Sequence, residues 1–181
     1  MCGRSNFPSK LKLVDHYKCR IGPRASDSFK SEQISIPGED IPILIMNRSN
    51  NRILTRSHWG FGDYYNARVE TVDEKSLWRA QFKTSRCIIP LADFYEGGRW
   101  FSSDSILSAA AIFRVMISGS GERFIECSMI TTKATAPVDE FHERMPVILD
   151  DKMINPWLLK EDIDIKNYHP QVELSVRRTF S

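Results

Sequence analysis

The sequence predicts a mixed α+β fold, a single domain dominated by a mainly antiparallel sheet with short flanking helices. Three observations lead there. The chain has 181 residues, the size of one compact domain. Segments with strand-like alternation or short apolar runs outnumber those with helical spacing. Most of the strand-like segments are joined by turn-rich links short enough for hairpins. From residue 8 to 20, Leu11, Leu13, Val14 and Tyr17 recur at helical spacing, and Ser5 or Asn6 precedes Pro8 as a cap, so a short helix is expected. Residues 21–35 are polar and irregular, with Gly22-Pro23 as a breaker. Residues 41–46 and 52–59 read as strands around the turn-rich 47–51 and predict a hairpin. Gly60-Phe61-Gly62 opens a loop carrying Asn66, and residues 73–82 place Leu77, Trp78 and Phe82 on one helical face. Residues 86–90 read as a buried strand followed by a loop over 93–97. Residues 110–117 and 123–131 flank Gly119-Ser120-Gly121, the strongest hairpin signal in the chain. Residues 132–144 mix loop and helix, 151–159 read as a short helix, and 172–176 as a closing strand. Neither repeats nor linkers divide residues 1–181.

Composition narrows the function classes. Hydrophobic residues make up 41% of the chain and are spread along it, which excludes wholesale disorder. The longest apolar run, residues 106–115, is broken by Ser108 and Arg114 and is too short to cross a membrane as a helix. Met1-Cys2-Gly3-Arg4 has no apolar stretch behind its charge, so a cytoplasmic address and no membrane partner are expected. The cysteines at 2, 19, 87 and 127 form no C-x-x-C pair and no zinc spacing with the histidines at 16, 58, 142 and 169, so neither a disulfide framework nor a metal site is expected. The net charge of +2 hides a gradient, with ten Lys/Arg against five Asp/Glu in residues 1–60 and nine against twelve in 101–181. A basic surface on the N-terminal third would suit a phosphate-bearing partner, although an ordinary solvated surface explains it equally.

Four residues stand out for their chemistry. Removal of Met1 would make Cys2 the chain end and put an α-amine beside a thiol, a 1,2-aminothiol. With an α-amine near pKa 7.7 to 8.0, a useful fraction is nucleophilic at neutral pH. It can attack an aldehyde to form a Schiff base that sulfur closes to a thiazolidine. Glu96, after the apolar strand, is placed for a raised pKa and proton transfer. His142 lies in His142-Glu143-Arg144-Met145-Pro146, where Pro146 restricts Met145 to extended conformations, so the stiff segment can aim both His142 and Arg144 at one target. Asn66 can orient an amine through its carboxamide oxygen, with Arg68 nearby for a phosphate. Each residue alone also has an ordinary reading, as a small buried thiol, a solvated acid, a structural histidine or an Asn-led turn.

Their order along the chain adds something no single residue does. Met-Cys-Gly-Arg at the start, Trp59-Gly60-Phe61, Asn66-Ala67-Arg68-x-Glu70-Thr71, Arg86-Cys87-x-x-Pro90, Phe94-Tyr95-Glu96, Ile130-Thr131-Thr132 and His142-x-Arg144-Met145-Pro146-Val147-Ile148-Leu149 together resemble the SRAP family, the SOS-response-associated peptidase domain. The resemblance runs from Cys2 to about Leu159. It implies a β-rich fold with barrel-like curvature, a monomer without cofactor, and a partner in single-stranded DNA carrying abasic sites. It further implies a covalent thiazolidine adduct through Cys2 that shields the lesion from strand cleavage, with Asn66 holding the amine, Glu96 moving protons and His142 steadying the sugar oxygen. Phosphate contacts are expected from Arg4, Arg68, Arg86 and Arg144, and an apolar wedge from Trp59 and Pro37 stacking on bases. Three or four such contacts would weaken noncovalent binding roughly a hundredfold per tenfold rise in salt. The peptidase in the family name implies release of whatever precedes the cysteine, here only Met1. A cysteine peptidase using Cys2, His142 and Glu96 on other proteins, and a noncovalent reader of modified single-stranded DNA, are the competing classes. Gly97-Gly98 stands where relatives carry Trp after Tyr-Glu, and the stretch from Trp59 to Asn66 is shorter than usual.

Overall fold

The computed structural model describes residues 3–25, 33–170 and 172–178. In chain order its elements are β1 (Ser5–Asn6), α1 (Lys10–Tyr17), β2 (Arg20–Ile21), β3 (Ile34–Ser35), β4 (Asp40–Met46), β5 (Arg52–Trp59), β6 (Asn66–Arg68), α2 (Ser76–Thr84), β7 (Arg86–Glu96), β8 (Arg99–Ile117), β9 (Arg123–Lys133), β10 (Arg144–Pro146), β11 (Ile148–Leu149), α3 (Asp151–Leu158) and β12 (Ser175–Arg178). The expected class holds, and most expected elements appear within a few residues of their places. Strand β8 starts at Arg99, eleven residues before the expected 110, Asn66 opens strand β6 where a loop was expected, and two further differences have identifiable reasons. Ser5 and Asn6 are used in β1, so the cap of α1 is Ser9, whose hydroxyl accepts from the Lys12 amide. The segment read as a loop over 93–97 is instead the second half of β7. A register slip between Leu91 and Asp93, opposite β8, breaks the apolar alternation there and disguises one strand as two pieces.

The sheet owes its shape to its closure. Strands run in the order β11-β8-β9-β5-β4-β7-β1-β3, and β7 pairs again with β8, so β8, β9, β5, β4 and β7 form a ring. It is not a regular barrel, because β4 and β7 share one ladder pair, Leu44 with Ile88, while β5 runs parallel to β9 for two. Alternation along each strand then sorts side chains into two cores. Ile41, Ile43, Trp59, Cys87, Ile89, Leu91, Ala109, Ala111, Cys127 and Met129 fill the interior. Leu44, Leu54, Ile88, Ala110, Ile112 and Ile130 point outward, where Leu13, Tyr17, Trp78 and Trp157 of the helices cover them. Cysteine and alanine on the inner face leave room for the Trp59 ring. Burial on both faces is why the central strands read as continuous apolar runs.

Outside the ring, β1 lies on β7 and β3 on β1, while β12 joins the first residues of β8. Strand β9 carries β6 beyond β5, and β10 also pairs with it. No helix among the described residues is long and apolar enough to cross a membrane.

Candidate active site

The site begins at a turn. Strands β7 and β8 are joined by Gly97 and Gly98 alone, at φ 51° and 81°, the left-handed values a two-residue hairpin turn requires. Gly97 has a second constraint, since a Cβ there would lie 2.2 Å from the Phe141 carbonyl oxygen. The absent side chain lets the hairpin tip press against residue 141 and brings Glu96, at the end of β7, beside His142. Gly97 thus supplies a close approach that a side chain at that position would block.

Glu96 Oε2 lies 3.5 Å from His142 Nδ1, with the Glu96 side chain 4% exposed and the histidine 26%. Burial pushes the Glu96 carboxyl above its ordinary value, an effect the adjacent histidine offsets in part. The imidazole is aimed from behind by its own segment. The Arg144 amide N–H points at Nδ1 from 3.1 Å and the Arg144 carbonyl lies 3.0 Å from the same nitrogen, so Nδ1 accepts from one or donates to the other according to tautomer. Arg144 is anchored in turn. Its Nη1 and Nη2 hold both oxygens of Glu70, and Nη2 also donates to the Thr131 carbonyl at 2.7 Å. These bonds hold the Glu70 carboxyl below the usual carboxylate range. The sequence motif quoted Glu70 without a role, and the structure makes it the anchor of the histidine segment.

Glu96 and His142 share a cleft of about 300 Å³ with Gly3, Arg4, Tyr95 and Gly97. The N-terminal strand reaches it in register, since Ser5 pairs with Phe94 and the Tyr95 amide donates to the Arg4 carbonyl. Cys2 lies outside the described residues, but its neighbour Gly3 lines the cleft. His142 also borders a second cleft of about 420 Å³ with Arg68, Glu70, Lys133, Asp139 and Arg144. Asn66 starts β6 opposite Met129, its Oδ1 turned inward and buried, two residues before the exposed Arg68.

Of the expected DNA contacts, Arg4 and Arg68 are exposed, and Arg4 sits 5.4 Å over the Tyr95 ring. Pro37 is half-buried in the turn between β3 and β4, flanked by Ile34 and Ile36 at 54% and 48% exposure. Arg144 borders the second cleft, but it is 8% exposed and both its Nη atoms are held by Glu70 and the Thr131 carbonyl, so its guanidinium serves the histidine segment. Two further expectations fail. Trp59 is 0% exposed and edge-on to Phe7 inside the ring, so it is a core residue and not a base-stacking surface. Its position on the inward parity of β5 carried that signal. Arg86, 7% exposed, lies between the Phe82 and Trp157 rings and donates to the Phe82 and Glu161 carbonyls, so it ties α2 and α3 to the sheet and has no face for phosphate.

Comparison with known proteins places this arrangement. Residues 1–176 match the family model described as SOS response associated peptidase (SRAP). The chain belongs to the SRAP family. Among SRAP relatives, it is 31% identical over 187 residues to the Bacillus subtilis abasic site processing protein YoqW, covering 91% of this chain and 83% of that protein. The Xenopus tropicalis abasic site processing protein HMCES is 23% identical over 87% of this chain and 66% of its own length. A Bordetella bronchiseptica protein solved by X-ray crystallography shares the SRAP fold seen here, with a TM-score of 0.79 at 18% identity, covering 98% of this chain and 100% of that one.

Proposed function

We propose that this protein processes abasic sites in single-stranded DNA by capturing the ring-opened sugar aldehyde on Cys2 once Met1 is removed. The observation that carries this reading is that Gly3, bonded to Cys2, lines the same cleft as Glu96 and His142. Curated SRAP relatives named for abasic site processing support the substrate class.

The chemistry is balanced within the cleft. The free α-amine adds to the aldehyde carbon and the carbonyl oxygen takes a proton, giving a carbinolamine. Loss of water leaves an imine, and the Cys2 thiol adds across it, its proton passing to nitrogen, to close the thiazolidine. Aldehyde and aminothiol thus join with release of one water. Glu96, whose carboxyl burial pushes above its ordinary value, is the group suited to deliver and recover these protons. His142 steadies the sugar oxygen, and the Asn66 carboxamide orients the amine. Arg4 and Arg68 meet phosphates, contacts that bring no sequence preference. Pro37, with Ile34 and Ile36, offers an apolar edge for bases. Ring closure diverts the imine from β-elimination of the 3′ phosphate, so the strand stays intact.

The test is an oligonucleotide with one abasic site, incubated with the protein and run on a denaturing gel. An SDS-stable upshifted band is expected, lost with Cys2→Ala and lost when Met1 is retained. A band that survives with Met1 in place would point to thiol chemistry alone, and no band from the mature chain removes the reading.

A further inference from the structure

The N-terminal strand is short for the task it is given. Strand β1 has two residues, yet it must hold the residue before it against Glu96. What secures it lies on the outer face of the five-strand row β3-β1-β7-β8-β12. In that row Asn6 stands opposite Asp93, Asp93 opposite Ser102, and Ser102 opposite Ser175. Two residues further along β7, Tyr95 stands opposite Trp100 and Trp100 opposite Arg177. Residues two apart share a face, so Asp93, Tyr95, Asn6 and Arg177 point the same way.

Arg177 uses that arrangement to reach across β8. Its Nη2 donates to Asp93 Oδ2 at 2.6 Å, and the other oxygen of the same carboxylate accepts from Asn6 Nδ2 at 2.7 Å. Asp93 is 5% exposed, whereas the Arg177 side chain is 62% exposed. The carboxylate is therefore a buried hub with one partner on the first strand of the protein and one on the last. A charge-assisted bond at this length is among the stronger polar contacts available to a protein, and here it spans three strands.

We infer that Arg177, through Asp93 and Asn6, is a positioning residue that fixes the N-terminal strand so that the chain end meets Glu96. The inference rests on the proposed function for its consequence and on the sheet geometry alone for its mechanism. Strand β12 is then part of the working site although it lines no part of the cleft. Reaction of a flexible chain end depends on how often the amine is presented correctly, so loosening β1 lowers the rate of adduct formation far more than it weakens DNA binding, to which Arg4 beside β1 supplies only one phosphate contact.

Hydrogen–deuterium exchange and crosslinking on the mature full chain separate the possibilities. With Arg177→Ala, exchange in the peptide spanning residues 3–9 rises more than in the rest of the sheet, and the crosslinking rate at saturating abasic oligonucleotide falls about tenfold. Affinity for an oligonucleotide carrying a tetrahydrofuran abasic analogue, which has no aldehyde, changes less than twofold. Arg177→Lys restores part of the rate, and Asn6→Ala combined with Arg177→Ala is no worse than the poorer single variant. Unchanged exchange over residues 3–9 in Arg177→Ala overturns the strap whatever the crosslinking does. An equal loss of analogue binding overturns it too, by making Arg177 a DNA contact. Raised exchange in a protein whose wild type forms no adduct keeps the strap and removes the proposed function instead.

Discussion

Among the described residues, two histidine–carboxylate pairs stand in different surroundings. His142 Nδ1 lies 3.5 Å from Glu96, whose side chain is 4% exposed, at a closed turn beside the N-terminal strand. His58 Nδ1 lies 3.8 Å from Asp40, whose side chain is 45% exposed and also faces Arg56 at 3.4 Å. The same two functional groups at nearly the same separation have different capacities. A half-exposed carboxylate is solvated and screened, and its ion pairs contribute little. A carboxylate walled in by a tight turn holds its proton to higher pH, which a proton shuttle requires. Environment, more than the residue pair, distinguishes the candidate site.

The largest test of that difference exchanges each acid for its amide. Glu96→Gln is expected to slow thiazolidine formation about a hundredfold or more, the usual contribution of a general acid–base group. Asp40→Asn is expected to leave the rate within about twofold, since exposed pairs contribute at most about 1 kcal/mol. Time courses of the gel-shifted adduct at saturating DNA measure both. Similar losses in the two variants would dissolve the distinction.

Much of this was legible in the sequence, though unevenly. Ordered motif blocks led to the family, and helical spacing or hairpin signals placed α1, the β4–β5 pair and the β8–β9 turn. Trp59 was misread because a motif position suggested exposure, whereas its parity with Ser57 and Thr55 on β5 places it inside the ring. Arg86 was misread because a guanidinium between two rings looks, as sequence, like any other arginine in a motif. The roles of Gly97 against Phe141 and of Arg177 on Asp93 join residues 44 and 84 positions apart, and no local pattern records such pairs.

The turn that closes the first pair supplies the next test. Gly97 and Gly98 both have positive φ, but only Gly97 has a neighbour where a Cβ would sit. Gly98→Ala should cost about 1 kcal/mol, the toll of a left-handed non-glycine residue. Gly97→Ala carries that cost plus about 1 to 3 kcal/mol from forcing Phe141 away, and it should separate Glu96 from His142. Urea unfolding of both variants measures the gap, and equal midpoints would mean that the hairpin tip does not depend on its contact with residue 141.

Burial of Glu96 also makes a prediction for stability against pH. Its carboxyl has a folded-state value raised above the unfolded one, near 4.3 for an ordinary glutamate. The protonated form is therefore favoured by folding. That contribution is complete below the unfolded value and is lost as pH rises through the folded one. At neutral pH the ionised Glu96 works against the fold, so Glu96→Gln should be more stable than wild type there, and the gap should shrink as pH falls toward 4. Melting temperatures across that range test it. A variant less stable than wild type at pH 7 would mean that the charged carboxylate is the better-paired form.

The smallest expected effect concerns the arginines beside each pair. Arg68 borders the cleft that shares His142 with the candidate site, and Arg56 borders the cavity with His58 and Asp40. Glu126 of that cavity and Lys133 of the His142-side cleft lie seven residues apart on β9, about 20 Å of strand. The Arg68 cleft shares His142 with the Glu96 cleft, whereas Arg56 borders the other cavity, so a DNA path past Glu96 engages Arg68. Each phosphate contact on a single strand contributes about 0.7 to the slope of log affinity against log salt. Arg68→Ala should therefore flatten that slope by about 0.7, measured with the aldehyde-free analogue so that binding is read without chemistry, and Arg56→Ala should leave it unchanged. A flattened slope for Arg56→Ala would move the DNA path to the His58 end of the ring, and with it the claim that the two pairs differ in function as well as in burial.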